Sequence, residues 1–220
     1  GLSLLFVFVC VCVVRVVRVV PVVRVVRDGR GERGVCGVLG VGLIGKKHVE
    51  FILNSKSAKL TAIADPDDDV NEYANNIGVK RFKTLTEMLD SSELDGVIIA
   101  TPNNLHVENG LECIHRDIPV LIEKPLATSA SDAKILADAS NAKNVAVLVG
   151  HHRRYNPIIQ AARKVIDSGK LGNTRSFHAN CWLYKPDEYY DESVWRTKKG
   201  AGPVSVNLVH DIDLIRYLCG

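Results

Sequence analysis

From residue 35 onward, short apolar runs alternate with longer stretches in which apolar residues recur at helical spacing. Residues 35–39 (VCGVL), 60–64 (LTAIA), 96–100 (GVIIA), 119–122 (PVLI) and 145–149 (VAVLV) are almost wholly apolar, which predicts strands buried on both faces. Between them, residues 46–53, 71–77, 85–89, 105–116 and 130–141 carry the helical pattern. Strands alternating with helices at this spacing predict an α/β fold, a doubly wound parallel sheet with right-handed crossovers. Beyond it, residues 156–167 and 208–218 read as helices and 175–183 as a strand, the start of a second, α+β region.

The first thirty-four residues break this pattern. Residues 4–14 (LLFVFVCVCVV) are an apolar run of eleven, too short to span a bilayer, and no basic segment precedes it. From Val13 the chain repeats every three residues as VVR VVR VVP VVR VVR. That period matches neither helix nor strand and makes no single apolar face. A low-complexity or non-native extension, a targeting or membrane-surface segment and a true structural element all remain open readings.

Charge follows the same division. Residues 1–34 hold six arginines against Asp28 and Glu32, leaving 22 basic and 23 acidic side chains for the rest. The net charge of +3 therefore belongs to the leader. The body is close to neutral, which argues against a nucleic-acid partner, and no membrane segment is expected in residues 35–220. Six scattered cysteines without C-x-x-C or Cys/His spacing point to buried thiols in a reducing, cytoplasmic setting and to no metal site.

The first predicted strand runs into Gly40-Val41-Gly42-Leu43-Ile44-Gly45 and then a helix. A second strand follows and ends at Asp65. Alone, G-x-G-x-x-G is a weak signal; inside strand–turn–helix–strand it predicts a dinucleotide site. Gly40 permits the tight turn, Gly42 lets backbone approach a pyrophosphate, and Gly45 lets helix pack on strand. The helix N-terminus offers open N–H groups to phosphate. Asp65 accepts hydrogen bonds from ribose hydroxyls and repels a 2′-phosphate. With no arginine in the residues that follow it, NAD is favoured over NADP. Ligands on such sheets sit beyond the carboxyl ends of strands. That rule selects Thr101-Pro102-Asn103 with His106, Glu123-Lys124-Pro125, and His151-His152-Arg153-Arg154.

Glu123-Lys124-Pro125 at a strand end, the glycine motif, Ala100-Thr101-Pro102-Asn103-x-x-His106 and Gly150-His151-His152-Arg153-Arg154-Tyr155-Asn156-Pro157 together resemble the Gfo/Idh/MocA oxidoreductase family (glucose–fructose oxidoreductase, inositol dehydrogenase, rhizopine catabolism). The resemblance covers residues 35–220. It implies a Rossmann domain (residues 35–150) followed by an α+β substrate domain, here residues 151–220 and incomplete as written. It also implies NAD(P)-linked oxidation or reduction of a sugar, cyclic polyol or related small hydroxy compound.

Carried over by position, the resemblance makes Lys124 and His210 the catalytic residues. Lys124 touches both nicotinamide and the reacting hydroxyl, where an ammonium steadies a developing alkoxide. His210 exchanges the hydroxyl proton, which suits a group that titrates near working pH. Its other reading is a core histidine at a helix start. Gly40, Gly42, Leu43, Ile44, Gly45, Asp65, Thr101, Pro102, Asn103, His106, Glu123 and Lys124 become the cofactor contacts, although His106 reads equally as a satisfied buried histidine. Arg153, Asn156, Arg196 and Asn207 become substrate contacts; for the arginines, a solvated face is the other reading. One departure stands out. Inositol-type members carry an aspartate four residues before the histidine, and this chain has Val206 there. Valine neither relays a proton nor accepts a hydrogen bond, which puts inositol specificity in question.

A second domain of usual size needs about a hundred further residues. The chain is therefore expected to be a fragment, C-terminally truncated, whose complete form self-associates. The function class is an NAD-dependent dehydrogenase or reductase. The alternative is a non-catalytic dinucleotide-binding regulator, or an orphan fragment, of the same fold.

Overall fold

The computed structural model describes residues 33–182, 184–191, 197, 202 and 204–220. All but the last two residues of the leader, together with Arg196, therefore lie outside the described residues. Six strands form one parallel sheet: β1 (Gly34–Leu39), β2 (Ala58–Ala64), β3 (Lys80–Phe82), β4 (Gly96–Ile99), β5 (Val120–Ile122) and β6 (Val147–Val149). Their order is β3-β2-β1-β4-β5-β6, so the direction of winding reverses between β1 and β4. The connecting helices are α1 (Leu43–Leu53), α2 (Val70–Asn76), α3 (Leu85–Ser91), α4 (His106–His115) and α5 (Ala130–Lys143). After the sheet come α6 (Pro157–Asp167), α7 (Asp187–Asp191) and α8 (Val209–Cys219), the last entered through a π-helical turn at Val204–Leu208.

Strand alternation divides the core into two layers. Val38, Ile63, Ile98 and Leu121 face Val49 and Ile52 of α1 and Val70 and Ala74 of α2. Leu39, Ala62, Ala64, Val97, Ile99, Val120 and Ile122 face Leu85, Met88 and Leu89 of α3, Cys113 and Ile114 of α4 and Leu136 of α5. Helix ends follow local chemistry. Ser129 Oγ accepts from the N–H of Asp132 at the start of α5 (3.1 Å), and Asn144 closes that helix in the left-handed region at φ 54°. A third cluster, Ile159 of α6 against Leu214 and Leu218 of α8, packs the two helices beyond the sheet together.

Two expectations need correction. Strand β3 was not foreseen, because three residues (Lys80-Arg81-Phe82) are too few and too charged to show an apolar run. The strand expected at 175–183 is absent over its described part, residues 175–182. Among the described residues no other strand lies there to take up its backbone hydrogen bonds, and β-pattern alone does not hold a lone strand.

Leu136 is fully buried where α5 meets the sheet, with its Cδ1 filling the space that a Cβ on Gly110 would enter. Leu136→Ala is expected to destabilise the fold by about 2–5 kcal/mol, read as a lower urea midpoint at unchanged slope.

Candidate active site

Parallel strands end in register, and the backbone continues that register one residue further. The N–H of Gly40 donates to Ala64 O (2.8 Å), that of Ala100 to Leu39 O (2.8 Å), that of Glu123 to Ile99 O (2.9 Å) and that of Gly150 to Ile122 O (2.8 Å). Gly40, Ala100, Glu123 and Gly150 are thereby set in one row along the carboxyl edge, with Asp65 joined to it through Phe82 O (3.0 Å).

At the first position of this row, Gly40 takes φ 81°, and a Cβ there would lie 2.8 Å from the Ala100 carbonyl. A Cβ on Gly45 would lie 1.8 Å from Gly40 O. Both glycines are explained by the fold. Gly42 differs: its φ of −70° and ψ of −162° are open to any residue, and a Cβ would meet nothing within 4 Å. Gly42 also supplies no capping side chain, so the first N–H groups of α1 stay open beside exposed Leu43 and Ile44. Space against bare backbone at a helix N-terminus fits the pyrophosphate of a dinucleotide.

Asp65 folds back on this loop. Its Oδ2 accepts from the N–H of Val41 (2.6 Å) and its Oδ1 from that of Asp67 (2.9 Å). The expectation of no nearby arginine needs correction, because β3 brings Arg81 beneath the turn. Its guanidinium donates to Asp65 O (2.8 and 3.2 Å), Asp67 O (2.9 Å), Asp68 Oδ1 (2.9 Å) and Asn71 Oδ1 (3.0 Å). Arg81 is committed to shaping the Asp65–Asn71 loop, and the carboxylate remains the charge presented beside the glycine loop.

The opposite wall is built from the loops after β4 and β5. Fully buried His106 meets Thr101 O (2.9 Å) with Nε2 and Pro125 O (2.7 Å) with Nδ1, tying the two loops together. Both partners are carbonyl oxygens, so a neutral imidazole donates to one of them, and the ring is buried between the two loops. Asn103 Nδ2 is buried without a partner among the described residues, as a group awaiting a ligand would be. Glu123 turns its carboxylate to α1, where His48 Nε2–H donates to Oε1 (2.8 Å), while Oε2 accepts from the N–H of Lys124 (3.2 Å). Lys124 precedes a cis proline peptide. Its ammonium is pushed below the usual lysine range by burial and by the charges of Arg153 and Lys185, with Glu123 opposing.

His210 enters from α8. It is buried, its ring edge-on to His152 at a centroid distance of 4.7 Å, and its Nδ1 has no partner among the described residues. Two ion pairs flank it on α8: Arg153 Nη1 to Asp211 Oδ1 (2.9 Å), and Arg154 to Asp213 through two bonds (2.8 and 2.5 Å). These pairs hold the first turn of α8 against the turn that follows β6. Burial, then the charges of Lys124, His152, Arg153 and His151, push His210 from 6.5 down to about 2. The imidazole is therefore held neutral, well below the titration near working pH that the sequence led one to expect of it.

Of the expected substrate contacts, Arg153 pairs with Asp211, Asn156 Oδ1 caps α6 by accepting from Ile158 N–H (2.9 Å), and Asn207 lies half-buried in the π-helical turn before His210. The sequence reading missed His48. It shares the buried face of α1 with Gly45, Val49 and Ile52, and a polar side chain at that spacing was the available signal. No helix among the described residues is long and apolar enough to cross a membrane.

The His210 shift makes stability depend on pH. Between about 2 and 6.5 the unfolded chain binds a proton that the native imidazole refuses, so stability falls as pH drops below 6.5. Depression of His151, caused first by burial, adds in the same direction. Urea midpoints of the wild type are expected to fall across mildly acidic pH, with His210 contributing roughly 1 kcal/mol per pH unit. His210→Gln removes that share, and an unchanged slope would contradict the neutral, buried imidazole.

Comparison with known proteins agrees with this geometry. Residues 35–151 match the family model GFO_IDH_MocA, described as an oxidoreductase family with an NAD-binding Rossmann fold, and residues 159–220 match a GFO/IDH/MocA C-terminal domain. The rhizopine catabolism protein MocA of Rhizobium meliloti is 32% identical over 179 residues, covering 81% of this chain and 55% of the relative. Inositol 2-dehydrogenase 2 of Saccharopolyspora erythraea is 31% identical over 186 residues, covering 81% and 52%. The WlbA dehydrogenase of Bordetella pertussis, solved with NADH and UDP-GlcNAcA, superposes with a TM-score of 0.78 at 27% identity, covering 86% of this chain and 56% of that one. The chain thus spans about half the length of the curated relatives it matches. A six-stranded parallel sheet with a glycine cradle at its first turn and a lysine at its fifth strand end, matched along two family domains, makes this chain a member of the Gfo/Idh/MocA oxidoreductase family.

Proposed function

We propose that the chain carries the cofactor site and the catalytic pair of an NAD-dependent oxidoreductase acting on a hydroxyl or carbonyl carbon of a sugar, polyol or related small hydroxy compound. Gly42 carries this reading: no backbone strain and no contact among the described residues calls for glycine there, so the space serves a ligand. The open N–H groups of α1 and the unpartnered Asn103 Nδ2 fit the same group. Asp65 would take the adenosine ribose, and with Arg81 already engaged the charge at that position favours NAD over NADP.

When bound, the nicotinamide supplies the hydride acceptor or donor. The remaining chemistry belongs to side chains. Lys124 Nζ stands to hydrogen-bond the reacting oxygen and to stabilise its negative charge as the C–H bond breaks. His210, neutral and within reach of the charges of Lys124 and Arg153, stands to take the hydroxyl proton in oxidation and return it in reduction. Arg153, Asn156, Arg196 and Asn207 are the proposed substrate contacts. Residues 35–150 and 151–220 serve as cofactor and substrate domains. Self-association of the whole protein and a cytoplasmic setting complete the reading, the latter supported by the buried thiols of Cys36 and Cys113, which burial pushes up to about 12.

A second reading, a dinucleotide-responsive module without turnover, draws on two observations. Val206 stands where a proton-relaying aspartate is expected, and His210 Nδ1 has no partner among the described residues. Loss of NADH fluorescence, or its appearance from NAD, on adding a panel of sugars and polyols separates enzyme from binder.

Calorimetry with NADH and NADPH tests the cofactor reading. Gly42→Val is expected to melt like the wild type yet lose NADH binding. Asp65→Ala is expected to weaken NADH by about tenfold and to narrow its advantage over NADPH. Undiminished NADH binding by Gly42→Val would overturn the proposal.

A further inference from the structure

Behind Lys124 lies a buried acid–imidazole pair to which the reaction outlined above assigns no role. The side chains of His48 and Glu123 are 7% and 15% exposed and meet at 2.8 Å. Two elements hold the carboxylate, α1 through His48 and the turn after β5 through the Lys124 N–H, and Gly150 past the end of β6 leaves it room, since a Cβ there would lie 3.0 Å from Oε2. Cohesion does not ask for charge at this position. Apolar groups of similar volume often replace a buried pair without loss, whereas removal of one partner strands the other.

Building on the NAD reading, we infer that His48 and Glu123 are positioning residues: the pair ties the helix of the phosphate cradle to the turn carrying Lys124 and supplies that ammonium with its counter-charge. The surroundings oppose its charge. Arg153 and Lys185 repel a charged Lys124, burial disfavours it, and His151, His152 and His210 stand close enough for its charge to act on them. Glu123 favours the ammonium. Glu123 performs this role only while ionised. Burial alone would push its carboxyl up; the hydrogen bond and attraction of His48, then the N–H and charge of Lys124, hold it below the usual carboxylate range. Control therefore passes from α1 through His48 to Glu123 and on to Lys124.

The test follows Lys124 Nζ through a pH titration by NMR in the full chain, with Lys124→Arg for assignment. Glu123→Gln, nearly isosteric and able to keep its contact with His48, is expected to shift Lys124 downward. His48→Leu is expected to do the same, by letting Glu123 take a proton, and to add nothing in the Glu123→Gln background. His48→Gln, whose amide can donate to Glu123, is expected to restore the wild-type titration. An unmoved Lys124 in Glu123→Gln overturns the inference. So does an equal His48→Leu shift in both backgrounds, or equal shifts from His48→Leu and His48→Gln. Should His48→Leu fail to fold, Glu123→Gln and His48→Gln decide. NADH affinity measured on the same samples separates the two readings. A wild type that fails to bind NADH while Lys124 responds as stated sinks the cofactor reading alone; NADH binding with an unresponsive Lys124 sinks the pair alone.

Discussion

Parallel pairing of β1 with β2 on one side and β4 on the other sets where every candidate residue stands. Parallel strands cannot be joined by tight hairpins, so each connection crosses over through a helix and all six carboxyl ends emerge along one edge. The backbone hydrogen bonds just past those ends extend the register into the loops. Gly40, Ala100, Glu123 and Gly150 are consequently spaced by the sheet itself. Rigid strands beneath reactive side chains are a general solution for sites that must hold a ligand within fractions of an ångström.

Along that edge, physical roles divide cleanly. Gly40 and Gly45 serve the turn and the helix contact, whereas Gly42 serves the space outside. Asp65 and Arg81 act on the next loop from opposite sides. The arginine organises it from below through backbone and side-chain acceptors, and the carboxylate closes on the glycine loop from above. His106 joins the loops after β4 and β5, so that the Lys124 turn is braced from two directions.

Electrostatics give the other half of the site its character. Lys124, Arg153, His151, His152 and His210 crowd one region, and most of the nearby carboxylates are already engaged, Asp211 by Arg153 and Asp213 by Arg154. Burial and mutual repulsion keep His210 neutral, while Glu123 offsets the repulsion at Lys124. Burial disfavours the charged form of both groups, and the charge of Lys124 adds to that effect at His210. The arginines that read as substrate contacts also brace α8, because consecutive positions 153 and 154 face Asp211 and Asp213, one on each side of His210.

How much of this was legible follows from the range of each force. Short buried strands, helical periodicity and the glycine turn are local, and residues 35–122 declared them through apolar pattern and turn chemistry. Lys124 and His210 were legible only as a constellation, since neither Lys-Pro nor a lone histidine is specific. Strand β3 was too short to announce itself, and residues 175–182 carried a β-pattern without a neighbouring strand among the described residues. By itself the sequence determined five of the six strands, their crossover sense and the edge that gathers the loops, because those follow from local propensity and chain chirality. Tertiary structure alone decided that Arg81 lies under Asp65, that His48 meets Glu123 across 75 residues and that Arg153 and Arg154 clamp the helix of His210. Such pairings depend on which side chains burial brings within reach of one another, and no periodicity along the chain records that.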